Sequence, residues 1–189
     1  MKKLCKRSFV GLLLTAVLAA PLSLQAAAKT EEQLIAELDG PNPDKVASAM
    51  LAIEKQFPTS TKAFPKMKAL LKDPRPKVRR KAARVLGTLH AEVDKENIKD
   101  IVAMVKSADP DEAMDGLKAL RGLKAPEALP DIKAALNSPT PNVIRDALRT
   151  LAVLGTKSDI PAVEPLLKHS DPRVQKDAQD AIHALQGKS

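Results

Sequence analysis

A passage of about thirty residues recurs along this chain from Asp39 onward, and no other feature narrows its possible folds so far. The plainest copies begin at Asp73 (DPRPKVRRKAARVLGTL), Ser138 (SPTPNVIRDALRTLAVLG) and Asp171 (DPRVQKDAQDAIHAL). Repetition at such a period marks stacked units, none of which can bury its apolar face without a neighbour. A chain of this kind is expected to present an extended surface to another molecule.

Each unit opens with apolar residues on one helical face. The series are Val46, Met50, Ile53, Phe57; Val78, Ala82, Val85, Leu89; Ala113, Leu117, Leu120, Leu123; Val143, Ala147, Thr150, Leu154; and Val174, Ala178, Ala181, Leu185. Successive starts lie 32, 35, 30 and 31 residues apart. A second helix is predicted in each of the first four units. Its apolar positions are Met67, Leu70, Leu71; Ile101, Met104, Val105; Ile132, Ala135, Leu136; and Val163, Leu166, Leu167. Pro65, Pro130 and Pro161 fit its first turn, where a missing N–H costs nothing, with Lys99 at the equivalent place in the second unit. Pro165 falls inside the fourth second helix and should bend or shorten it.

The turns carry their own signals. Asp-Pro pairs at 73–74, 109–110 and 171–172 are expected to cap and aim the helices after them. Gly155 reads as a left-handed C-cap. Thr30 with Gln33 forms a capping-box pattern, which makes 30–38 an N-terminal helix over the open end of the stack. The fifth unit stops after one helix, whose Gln175, Lys176, Gln179 and Asp180 suit a solvated end. The expected class is all-α, a superhelical α-solenoid of about five helix pairs with the last reduced to one helix.

The Asp-Pro turn, the run from Val78 to Ala83 (VRRKAA) and the run from Pro126 to Pro130 (PEALP) resemble HEAT repeats, in particular the short kind named after phycobilisome lyases. The resemblance covers about Asp39 to Leu185 and implies an armadillo-like scaffold. It implies that the first helices lie on the convex side and that the second helices line the concave face. It does not imply lyase activity, because the motifs that match are packing motifs.

The first 28 residues read as a signal peptide, leaving 29–189 as the repeat domain. Lys2, Lys3, Lys6 and Arg7 precede an apolar run from Phe9 to Ala20, Pro21 breaks it, and Ala26 to Ala28 offer a cleavage site. Phe9 to Ala28 is nearly long enough for a membrane anchor, but Pro21, Ser23 and Gln25 interrupt it. No membrane span is expected after processing, and the address is periplasmic or secreted. Cys5 is the one cysteine and lies upstream of the apolar run, so neither a lipid anchor nor a disulfide is expected. The processed chain would keep 27 cations against 23 carboxylates, a net charge of +4 that argues little for nucleic acid. There is no Trp or Tyr, and of the three Phe only Phe57 and Phe64 lie beyond the leader, so stacking on sugars or bases is disfavoured.

The expected function is therefore non-catalytic binding of a protein partner. Equivalent second-helix positions form two ladders of mixed charge: Lys66, Asp100, Asp131 and Ala162, then Lys68, Val102, Lys133 and Glu164. The alternative is a polyanion site at Arg75, Lys77, Arg79, Arg80, Lys81 and Arg84, set against the plainer reading of a solvated helix face. An enzyme or an accessory subunit of one is the third class, and no motif locates its pocket. His90, His169 and His183 share no metal-ligand spacing, so neither metal nor cofactor is expected. Intact-mass measurement of the exported protein should place its first residue between Ala27 and Lys29. Retention of Met1 to Ala20 would instead make the segment an anchor.

Overall fold

The repeat period folds into ten α-helices among the described residues, 28–188 of a computed structural model. The expected signal segment, 1–28, lies outside that range apart from Ala28. Helix α1 (Glu31–Glu37) is followed by α2 (Pro43–Gln56), α3 (Phe64–Ala69), α4 (Pro76–Thr88) and α5 (Lys95–Val105). Then come α6 (Pro110–Leu123), α7 (Leu129–Ala134), α8 (Pro141–Leu154), α9 (Ile160–Val163) and α10 (Pro172–Gln186). The even-numbered helices are the first helices of their units and run 13–15 residues.

One apolar core runs the length of the stack, and the periodic residues supply it. Val46, Met50, Ile53, Val78, Ala82, Val85, Leu117, Leu120, Ala147, Thr150, Leu151, Val174, Ala178 and Leu185 are essentially without exposure. The fourth member of most series (Phe57, Leu89, Leu123, Leu154) is half-buried at the helix end. Thr150 is the polar intruder, and its hydroxyl donates to the Asp146 carbonyl at 2.7 Å within its own helix. Helix α1 covers the first unit with Leu34 and Leu38, held by the reciprocal Thr30–Gln33 capping box. At the other end α10 leaves Gln175, Lys176, Gln179 and Asp180 in solvent.

Local chemistry accounts for most helix ends. Asn42, Asp109 and Asp171 are N-caps whose side chains accept from the first-turn N–H groups, each followed by Pro at the first helical position. Three expectations need correction. Asp73 is not the cap of α4; Arg75 occupies that place, and the Asp73 carboxylate accepts from the Arg75 N–H at 2.8 Å. Lys99 is not a first-turn residue: with no proline to stop it, α5 begins a turn earlier, capped by Asp94. Gly155 is not left-handed, since its φ is −76°. A side chain there would put Cβ 2.7 Å from the Leu151 carbonyl oxygen, so close approach explains the glycine. Pro165 acts as expected, because α9 gives way to a 3₁₀ turn over Glu164–Lys168.

The two layers of the stack are packed unequally. The longer helices α2, α4, α6, α8 and α10 lie side by side in unbroken succession. The second helices barely meet one another, far less than their shorter length explains, and they rest mainly on the longer ones. At the crossing of α4 and α6, a Cβ on Gly122 would stand 2.3 Å from the Gly87 carbonyl oxygen. A stack curves toward its closely spaced layer, so the longer helices form the inner face and the second helices the outer. This reverses the assignment that the family resemblance implied.

Charged groups tie each unit to the next. Glu112, buried at the start of α6, accepts from Arg79 of α4 at 3.1 Å through Oε2 and again through Oε1, and from the Ser107 hydroxyl at 2.8 Å. Arg79 also donates to the carbonyls of Asp73 and Pro74. Beyond α10, the Lys188 ammonium donates to the carbonyls of Ala152, Val153 and Gly155, closing the C-terminal end of α8.

Two outcomes follow from this packing. Ala82 has no exposure, so Ala82→Leu should overpack the contact, cost about 1–3 kcal/mol and lower the melting temperature measured by circular dichroism. The Arg79 guanidinium, more than the opposing effect of burial, holds the Glu112 carboxyl below its ordinary range. A depressed folded-state value stabilises fully above the unfolded value near about 4.3, and the gain is lost as pH falls through the folded value. Glu112→Gln should therefore cost about 1–3 kcal/mol at pH 7, and its deficit against wild type should shrink in melts below about pH 4.

Candidate interaction surface

The cations singled out in the sequence are committed to neighbouring carboxylates. Arg75 forks onto Asp73 and reaches back to the carbonyls of Gly40 and Pro41. Lys77 pairs with Asp44 and Lys81 with Glu54 at 3.5 Å, both across the α2–α4 contact. Arg80 meets Asp115 at 2.8 Å, and Arg84 approaches the same carboxylate at 3.9 Å. With Arg79 on Glu112, every member of the Arg75–Arg84 cluster has an acidic partner. The solvated-face reading describes this cluster better than a free phosphate-binding stripe does.

The second-helix ladders are spent in the same way. Lys66 pairs with Asp39, Asp131 with Lys106 at 2.8 Å, and Lys133 with the buried Asp159 at 2.9 Å. Asp100 lies 3.8 Å from Lys72, with one carboxylate oxygen buried and without a hydrogen bond among the described residues. Burial pushes its carboxyl up, and Lys72 opposes this. Val102 packs half-buried against the core, Lys68 is half-buried, and Ala162 and Glu164 are exposed. Some of these pairs join adjacent second helices, as Lys106 after α5 does with Asp131 of α7.

Two equivalent grooves lie at the unit edges. One, of about 330 Å³, lies beside Leu71, Asp100 and Met104 and is lined by Arg79 and Glu112. The next, of about 350 Å³ between Val105 and Val143, carries no such pair, because the corresponding residues are Met114 and Asn142.

The continuous surface is the exposed side of the longer helices, and a ladder of carboxylates organises it. Asp115, Asp146 and Asp177, spaced at 31 residues on α6, α8 and α10, are largely covered. Asp146 takes Lys118 and Arg149, each at 3.5 Å. Asp177 takes Arg145 at 2.7 Å and Arg149 at 3.2 Å. Lys118 and Arg149 thus bridge successive rungs. Their regular spacing is visible in the sequence, but their partners are fixed only by the packing of successive units. Beside the ladder, Val153 stands half exposed, at 51%.

The comparisons agree with this architecture. Residues 98–183 match the family model for HEAT repeats. No curated protein matches the sequence. The fold is similar to a chain of the CpcE–CpcF complex of phycocyanin lyase from Nostoc sp. PCC7120, at 22% identity and TM-score 0.71, over 90% of this chain and 70% of that one. It is also similar to a designed armadillo repeat protein solved with the peptide (KR)4, at 20% identity and TM-score 0.63, over 81% and 80% of the two chains. A computationally designed armadillo repeat protein for modular peptide recognition aligns at 19% identity and TM-score 0.59, over 81% of each. The match over residues 98–183 and the likeness to solved repeat proteins agree with an all-α solenoid of HEAT-like helix pairs.

Proposed function

We propose that this protein is an exported, non-catalytic scaffold that holds a protein partner along the exposed side of α4, α6, α8 and α10. The observation that carries this reading is the contrast between its two surfaces. The second helices are splayed, and most of their charges are consumed by neighbouring units. The longer helices form an unbroken, closely spaced face with an exposed apolar side chain, Val153, among its charges. An extended chain laid across parallel helices meets the same kind of surface at each repeat. Armadillo repeat proteins designed for peptides have this general architecture, which supports the choice of a peptide or protein partner.

Export rests on the leader-like residues 1–28, and delivery to the periplasm or the exterior follows from it. The non-catalytic reading rests on how the surface polar groups are used. Asp115, Asp146 and Asp177 each hold cations of adjacent helices, which suits positioning of the stack better than proton transfer.

Site-specific photocrosslinking in the producing cell tests the choice of face. A photoreactive residue at Thr88 or Arg149 should yield one discrete adduct, while the same residue at Lys68 or Glu164 should yield little. Adducts confined to Lys68 and Glu164 would return the binding face to the second helices.

A further inference from the structure

The contact of Gly87 with Gly122 leaves no side chain where α4 and α6 cross, since a Cβ on either would strike the other helix's backbone. Above this backbone floor lies a hollow of about 470 Å³ on the exposed side of the longer helices. Arg84, Lys118, Arg121, Lys124 and His90 line it, with Val153 of α8 forming an apolar wall. None of its lining residues is acidic.

Two of the cations here share carboxylates with other cations, and two are unpaired among the described residues. Arg84 stands 3.9 Å from Asp115, a carboxylate that Arg80 already holds at 2.8 Å. Lys118 reaches Asp115 and Asp146 only at 4.0 and 3.5 Å. Arg121 and Lys124 have no ion pair among the described residues. Arg121 lines the hollow, and its Nη1 is buried without a hydrogen-bond partner among the described residues. Cations near helix C-termini also complement the helix dipole, and that alone would explain a Lys or Arg at these positions. It does not explain why a guanidinium nitrogen is buried and unpaired.

A second observation is independent of charge. Among the described residues, the non-glycine residues with positive φ are His90, at 49°, and Lys124, at 54°. Each follows a helix end closed by a bond from the next N–H, Ala91 to Leu86 and Ala125 to Leu120, at 3.0 and 3.2 Å. Glycine takes this conformation without strain, whereas a side chain does not. Both strained residues carry their side chains to this hollow, and retained strain of this kind clusters at binding sites.

We propose that the hollow receives the carboxylate of an aspartate or glutamate in an extended segment of the partner, with a neighbouring aliphatic side chain against Val153. The proposal rests on the longer-helix face being the binding face and names the chemistry of what binds there. Arg121 supplies a fork suited to a carboxylate, and Lys118, Lys124 and Arg84 supply the surrounding positive field.

Fluorescence anisotropy with labelled peptides and the purified full-length chain tests it. A peptide alternating leucine and glutamate should bind, and its leucine–glutamine counterpart should bind at least about tenfold more weakly. Arg121→Gln should weaken the acidic peptide by about tenfold. Lys124→Gly removes a charge while relieving the left-handed backbone, so it should weaken binding severalfold while raising the melting temperature. That opposite movement separates a binding defect from a folding one. Wild-type affinity in both variants overturns the proposal, as does failure of the acidic peptide to bind. Full competition by about 10 mM inorganic phosphate would also overturn it, by making the hollow a free-anion site. Equal binding of the glutamine peptide removes the carboxylate pocket but leaves the scaffold face standing, and that face is judged separately by the crosslinks at Thr88 and Arg149.

Discussion

The contact between α4 and α6 sets the geometry of the stack. At Gly87 and Gly122 two helix backbones meet with no side chain between them, a spacing that any larger residue would enlarge. Close approach in this layer lets the small residues of the longer helices, Ala82, Ala119 and Ala147 among them, be fully covered. It leaves the second helices in sparser contact with one another. The curvature and the place of the cationic hollow both descend from that inequality between layers.

Polar pairs act on top of this packing, as devices of register more than sources of net stability. Ion pairs that are partly covered give up much of their Coulomb gain to desolvation. They penalise misplacement instead, because a unit slipped by one residue would leave Glu112, Asp115 or Asp146 buried without a partner. Arg79 on Glu112 does this between α4 and α6, and Arg145 on Asp177 between α8 and α10. The apolar core alone, made of similar aliphatic side chains in every unit, would discriminate poorly between registers.

Features governed by near neighbours in the chain were legible in the sequence. The apolar series, the Thr30 capping box, the caps at Asp109 and Asp171 and the disruption at Pro165 follow rules that span a few residues. The extra turn of α5 was missed because a helix start was inferred from alignment with proline, when Asp94 offered a local cap. Gly155 was misread because glycine permits both positive φ and close approach, and only the packed structure separates the two. The inner and outer layers were not legible, since they depend on how far apart successive units sit. For the same reason the sequence left a free basic stripe at Arg75–Arg84 standing beside the solvated-face reading: apart from Asp73, the acidic partners of these cations lie one unit on or one unit back.

The thin fourth connection bears on how such a molecule comes apart. Around Pro165 the second helix is reduced to one short turn of α-helix before the proline and a 3₁₀ segment through it, with Leu167 partly in water. In a linear array each unit is held only by its neighbours, so opening is graded along the axis and starts where coupling is weakest. The 3₁₀ segment still packs on α10, and α10 on α8, as closely as in the other units, so the weak place is the exposed side of the fourth second helix itself. A segment of this kind frays while the longer helices beneath it stay shut.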